Sequence, residues 1–146
     1  MKRVPELTVI NILLADDDTD DCLFFEKVLK EISIKTNLSI VNDGEQVVAY
    51  LLKNMAKLPD VIFLDLNMPR KNGFECLTEI KENKKLKDVP VIIFSTAYPR
   101  DLNYEQDMVK MLFELGALDF IRKSENFTEL KQSITRILTL IIEKKA

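Results

Sequence analysis

The sequence predicts an open, doubly wound α/β fold, with a five-stranded parallel sheet covered by helices on both faces. Two observations carry that expectation. Five short β-rich apolar runs alternate with segments of helical spacing, the pattern of parallel strands joined by crossover helices. The third run, Val61-Ile62-Phe63-Leu64, is continuously apolar, as a strand covered on both faces must be. At 146 residues, 47% of them hydrophobic and 31% charged, the chain suits one domain with one core.

The first strand is predicted over Val9 to Ala15, followed by a helix over Thr19 to Glu31 with Leu23, Phe24, Val28 and Leu29 on its inner face. Leu38 to Val41 reads as the second strand. Glu45 to Met55 reads as the second helix, packed through Val47, Val48, Leu51 and Leu52. After the third strand, Gly73 to Glu82 brings Phe74, Leu77 and Ile80 onto one face. Val91 to Phe94 is the fourth strand, and Asn103 to Leu115 the fourth helix through Met108, Met111, Leu112 and Leu115. Leu118 to Ile121 is the fifth strand. The last helix starts near Asn126, with Glu129 placed as the partner in a capping box. It carries Phe127, Leu130, Ile134, Ile137, Leu138 and Ile141.

Composition excludes several classes of function. A net charge of −3 offers nucleic acid no electrostatic attraction. The basic stretch Lys81 to Lys87 reads as a solvated helix end. No apolar run is long enough for a membrane span or a signal peptide, so a cytoplasmic location is expected. Histidine is absent, which removes His-based acid–base chemistry and His-ligated zinc. Two cysteines, Cys22 and Cys76, fit inert buried thiols.

Ligands in such folds sit beyond the carboxyl ends of the strands. Those ends supply Asp16 and Asp17, Asp65, Ser95 and Thr96, and Lys123. Helix capping accounts for Asp18, Asp20 and Asp21, but poorly for Asp16 and Asp17. Two carboxylates ~5 Å apart repel by roughly 3 kcal/mol at an effective dielectric near 20. A divalent cation reverses that balance, and an all-oxygen set with retained water suits Mg²⁺. An EF-hand loop starting at Asp16 fails, because Asp21 stands where glycine is needed and Lys27 where glutamate is needed. Asp65, at the tip of the most buried strand, reads as a nucleophile able to form an acyl phosphate, and Lys123 as a point charge for a phosphoryl oxygen.

Four segments then carry a resemblance: Ile12 to Asp18; Asp65-Leu66-Asn67-Met68-Pro69 with Gly73; Pro90 to Thr96; and Gly116 to Lys123. In this order and spacing the chain resembles the receiver domain of two-component response regulators, a flavodoxin-like fold with strand order 2-1-3-4-5. The resemblance implies that Asp65 accepts a phosphoryl group from a sensor histidine kinase or a histidine phosphotransfer protein. It implies Mg²⁺, with Mn²⁺ as a substitute, on Asp17, Asp65 and the backbone carbonyl of Asn67, with Asp16 acting largely through water. Ser95 and Lys123 would contact the phosphoryl group, and Phe120 would be the switch aromatic.

Three departures mark this chain. Ser124 follows Lys123 where the family usually has a cis proline, leaving the geometry of that peptide open. Phe120 replaces a tyrosine. The passage from Ala97 to Leu115 is long and opens with Tyr98-Pro99-Arg100-Asp101, which resembles the small receivers that partner bacterial phytochromes. The expectation is a single receiver over 1–146, with its core at about 8–144 and no output domain, signalling to a downstream protein by contact. A Mg²⁺-dependent phosphatase and an unphosphorylated scaffold are the rival classes. Leu140, off the apolar stripe, and Ile142, at its rim, suggest a homodimer through helix four, strand five and helix five.

Overall fold

Strand and helix alternate along the chain in the computed structural model, which describes residues 8–96 and 102–145. The elements are β1 (Ile10–Ala15), α1 (Thr19–Glu31), β2 (Thr36–Val41), α2 (Gly44–Lys53), β3 (Val61–Leu64), α3 (Gly73–Glu82), β4 (Val91–Ser95), α4 (Leu102–Glu114), β5 (Asp119–Arg122) and α5 (Phe127–Lys145). All neighbouring strands run parallel, in the order β2-β1-β3-β4-β5. This is the flavodoxin-like order that the resemblance implies. The stretch Tyr98 to Asp101 lies outside the described residues.

Period-two alternation divides the sheet's side chains between two cores. Ile10, Ile12, Leu14, Val61, Phe63, Ile92, Phe94 and Ile121 face α1 and α5. Leu13, Ala15, Ile62, Leu64, Val91 and Ile93 face α2, α3 and α4. The side chains of β3 are fully buried on both faces, which explains its unbroken apolar sequence. α5 buries Leu130, Ile134, Ile137, Leu138 and Ile141, each worth about 2 kcal/mol of apolar transfer.

Four expected core residues are exposed: Phe127, at the start of α5, and Leu23, Leu52 and Met111. In the last three cases an adjacent residue takes the inward position. The inner stripe of α1 is Cys22, Phe25, Val28 and Leu29, so the small thiol displaces Leu23 by one position, about 100° around the helix. Leu51 and Leu112 do the same to Leu52 and Met111. β2 begins two residues early, at Thr36, because an edge strand can carry polar residues that pair with β1.

The capping box lies at α3, where Asn72 and Glu75 exchange bonds. At α5, Asn126 accepts from the Glu129 amide as expected, but the Glu129 carboxylate accepts from the Ser124 hydroxyl. Lys81 is not solvated at its tip. Its ammonium donates to the carbonyls of Lys87 and Val89 at 2.9 and 3.1 Å, and burial lowers its pKa. No helix among the described residues is long and apolar enough to cross a membrane.

Candidate functional site

Ladder bonds hold the site's backbone. The Asp16 amide donates to the carbonyl of Val41, the Asp65 amide to that of Ala15, and the Lys123 amide to that of Ser95. The carboxyl ends of β2, β1 and β3 are thereby tied together, as are those of β4 and β5. Strand parity then decides which way each side chain leaves. Asp16, Asp65 and Lys123 continue the alternation of the α1/α5 face, whereas Ser95 and Phe120 continue that of the other face.

Asp65 is consequently approached from two sides. Ser95, fully buried, donates its hydroxyl to Oδ1 at 2.7 Å, and the Asn67 amide reaches the same oxygen at 3.2 Å. Lys123 Nζ reaches Oδ2 at 3.1 Å. The peptide between Lys123 and Ser124 is trans, since no cis bond occurs among the described residues. The ammonium reaches Asp65 regardless. Its other partners are Asp16 Oδ2 and Asp21 Oδ2, each at 2.7 Å, and it lies 5.5 Å from the centre of the Phe94 ring.

Asp16 is fully buried. Burial pushes its carboxyl up to about 6, against the pull of Lys123 and of the Asp18 amide, while the charge of Asp65 adds to the rise. Its Oδ1 accepts from the Asp18 amide at 3.0 Å. Its Oδ2 has the Lys123 ion pair but no aligned hydrogen bond. Burial alone would lower the Lys123 pKa, but contacts with Asp16 and Asp21 and the charge of Asp65 outweigh it, and the net direction is upward. Oxygens of Asp16, Asp17 and Asp65 lie within 4.8 Å of one another. Three hard oxygen donors, one of them buried and short of hydrogen bonds, form a set that fits a small divalent cation.

The structure therefore brings together Asp16, Asp17, Asp65, Ser95 and Lys123. Asn67 stands beside them in the turn. Phe120 stands apart, half-buried against the core beneath α2, α3 and α4. One site residue escaped the sequence reading: Asp21, which capping logic assigned to the helix dipole. The N-cap is Asp18, which accepts from the Asp21 amide at 3.0 Å and leaves the Asp21 side chain to pair with Lys123. Parity was the available signal, because α1 covers the face toward which Lys123 points.

Residues 12–135 match the family of response regulator receiver domains. The chain belongs to that family. As a receiver, it is 33% identical to response regulator Rcp1 of Synechocystis over 136 residues, covering 90% of this chain and 88% of that protein. The solved Mn²⁺-bound form of Rcp1 superposes with a TM-score of 0.76, covering 92% of this receiver and 95% of the other chain. The phosphorylated cyanobacterial phytochrome response regulator RcpA superposes equally well, at 0.76 and 31% identity, covering 89% and 91% of the two chains. Other relatives join a receiver to enzymes. The chain covers 31% of a Clostridium acetobutylicum protein-glutamate methylesterase, at 33% identity. The receiver is thus a signalling module shared among proteins of differing output.

Proposed function

We propose that this receiver accepts a phosphoryl group on Asp65 and relays the signal through protein contact. The observation that carries the reading is the Asp65 carboxylate itself: buried, with Ser95 on one oxygen, Lys123 on the other, and Asp16 and Asp17 alongside. The donor is a phosphohistidine on a histidine kinase or phosphotransfer protein. An oxygen of Asp65 attacks phosphorus in line, the O–P bond forms, the P–N bond breaks, and its electrons leave on the imidazole nitrogen. Asp16, Asp17, Asp65 and the carbonyl of Asn67 would hold Mg²⁺, or Mn²⁺ in its place. When bound, the cation neutralises and orients the phosphoryl oxygens. Ser95 donates to a phosphoryl oxygen, and Lys123 offsets the charge gained.

The output is a shift between two packings of the Phe120 face, biased by the new charge. The likeness to RcpA, described as a phytochrome response regulator, supports a phytochrome-type kinase as the partner. Coverage of 90% of this chain and 88% of response regulator Rcp1 supports a response-regulator role for this receiver. Exposed Leu140 on α5, Met111 and Phe113 on α4, and Leu118 just before β5 support self-association through α4, β5 and α5.

The test is intact mass after incubation with Mg²⁺ and a small phosphodonor. One phosphoryl group should be gained by the wild-type protein and none by Asp65→Asn. Multiple turnover of phosphomonoesters would instead indicate a phosphatase. No adduct from the donor or a cognate kinase would indicate a scaffold.

A further inference from the structure

We propose that Asp21 is a positioning residue for Lys123: it is the carboxylate that keeps the ammonium when a divalent cation takes Asp16 and Asp65. The inference rests on the reading of the site as a cation-dependent phosphoryl acceptor. Three carboxylates share one ammonium, with Asp16 and Asp21 at 2.7 Å and Asp65 at 3.1 Å. Two of the three also belong to the cluster that fits a cation, and Asp21 does not. Oδ1 of Asp16 already accepts from the Asp18 amide, and Oδ1 of Asp65 from Ser95 and the Asn67 amide, which leaves a cation the Oδ2 atoms that Lys123 holds. An ammonium and a divalent cation repel, so a cation taking those oxygens displaces Lys123 from two of its three partners. Asp21 is the partner that remains.

Both members of this pair are held at their backbones, so only side-chain torsions need to change. The Asp21 amide is tied to the Asp18 cap, and the adjacent Cys22, with Phe25, seats the helix in the core. The Lys123 amide is tied to Ser95. Asp21 is also more exposed than either of its rivals, with 38% of its side chain accessible against none for Asp16 and 6% for Asp65. It can hold the ammonium at the rim without blocking the buried oxygens. Without it, the displaced ammonium has no carboxylate to move to, and it competes with the cation for the two that remain.

The experiment is calorimetric titration of the full chain with MnCl₂. Asp21→Asn should weaken binding about tenfold, whereas Asp20→Asn, which removes an exposed neighbouring charge, should weaken it less than about twofold. Asp21→Glu should recover most of the loss. In a Lys123→Met background nothing needs displacing, so Asp21→Asn should cost no more than Asp20→Asn. Equal losses for the two asparagine variants, or a full Asp21 effect that persists without Lys123, would overturn the proposal. The first comparison stands even if Lys123→Met fails to fold. A wild-type chain that binds no cation would instead defeat the reading of the site, a different result.

Discussion

Ser95 donates its hydroxyl to Oδ1 of Asp65 across 2.7 Å, with both residues buried and contributed by adjacent strands. The bond joins the two faces of the sheet at Asp65. It leaves that oxygen with one further donor, the Asn67 amide at 3.2 Å.

Ser95→Ala should remove that bond at a cost of about 1.5 kcal/mol in stability, the range for a hydrogen bond to a charged acceptor. The rate of adduct formation with a small phosphodonor should fall about tenfold, equivalent to roughly 1.4 kcal/mol in the transition state. Time-resolved intact mass measures the rate, and thermal unfolding measures the stability. An unchanged rate in a destabilised variant would assign Ser95 to structure alone.

The buried Asp16 carboxyl makes stability depend on pH. Its pKa is raised from 3.8 to about 6, so between those values the folded state binds the proton more tightly than the unfolded chain does. Stability attributable to this group therefore falls as pH rises from about 4 to 6 and stays low above that. Asp16→Asn keeps the oxygen that accepts from Asp18 and removes the titration. In chelator, the variant should gain on the wild type across that window, by an amount on the order of 2 kcal/mol at pH 7. Denaturant unfolding at several pH values reads the difference. Parallel curves would show that burial of Asp16 carries no such penalty.

Gly73 leaves no room for a side chain. An added Cβ would lie 2.4 Å from the carbonyl oxygen of Asp65 and 2.7 Å from the Cα of Leu66. Both are backbone atoms of the acceptor loop, so Gly73→Ala should cost about 3 kcal/mol by overpacking. Phosphoryl acceptance should fall as well, because the backbone that must yield belongs to Asp65. A variant that loses stability yet is phosphorylated at the wild-type rate would show that the loop yields away from the acceptor.

Strand β3 and the buried Asp65 that follows it were legible because burial on both faces leaves a one-dimensional signature, an apolar run ending in a carboxylate. The rim residues Asp16, Asp17, Ser95 and Lys123 followed from the rule that strand ends gather. Asp21 did not, since a first-turn aspartate has a sufficient local reason to be there, and only the packing of α1 reveals a second. Lys81 was misread for the same cause: local composition says solvent, while the carbonyls of Lys87 and Val89 say otherwise. Leu23 was lost to Cys22 because both neighbours are apolar, and only the packing of α1 decides which of them faces the core.

The polar contacts around Asp65 span long stretches of chain: Ser95 is 30 residues away, Lys123 is 58, and Lys123 in turn meets Asp21 across 102. A nascent polypeptide still threading through the ribosome with its fifth strand inside the exit tunnel thus has an acceptor carboxylate but no ammonium beside it. If Asp65 takes a phosphoryl group as proposed, its full set of partners is assembled only when the sheet closes. Under the proposed function, half-made copies would lack the Lys123 ammonium that offsets the charge gained at Asp65.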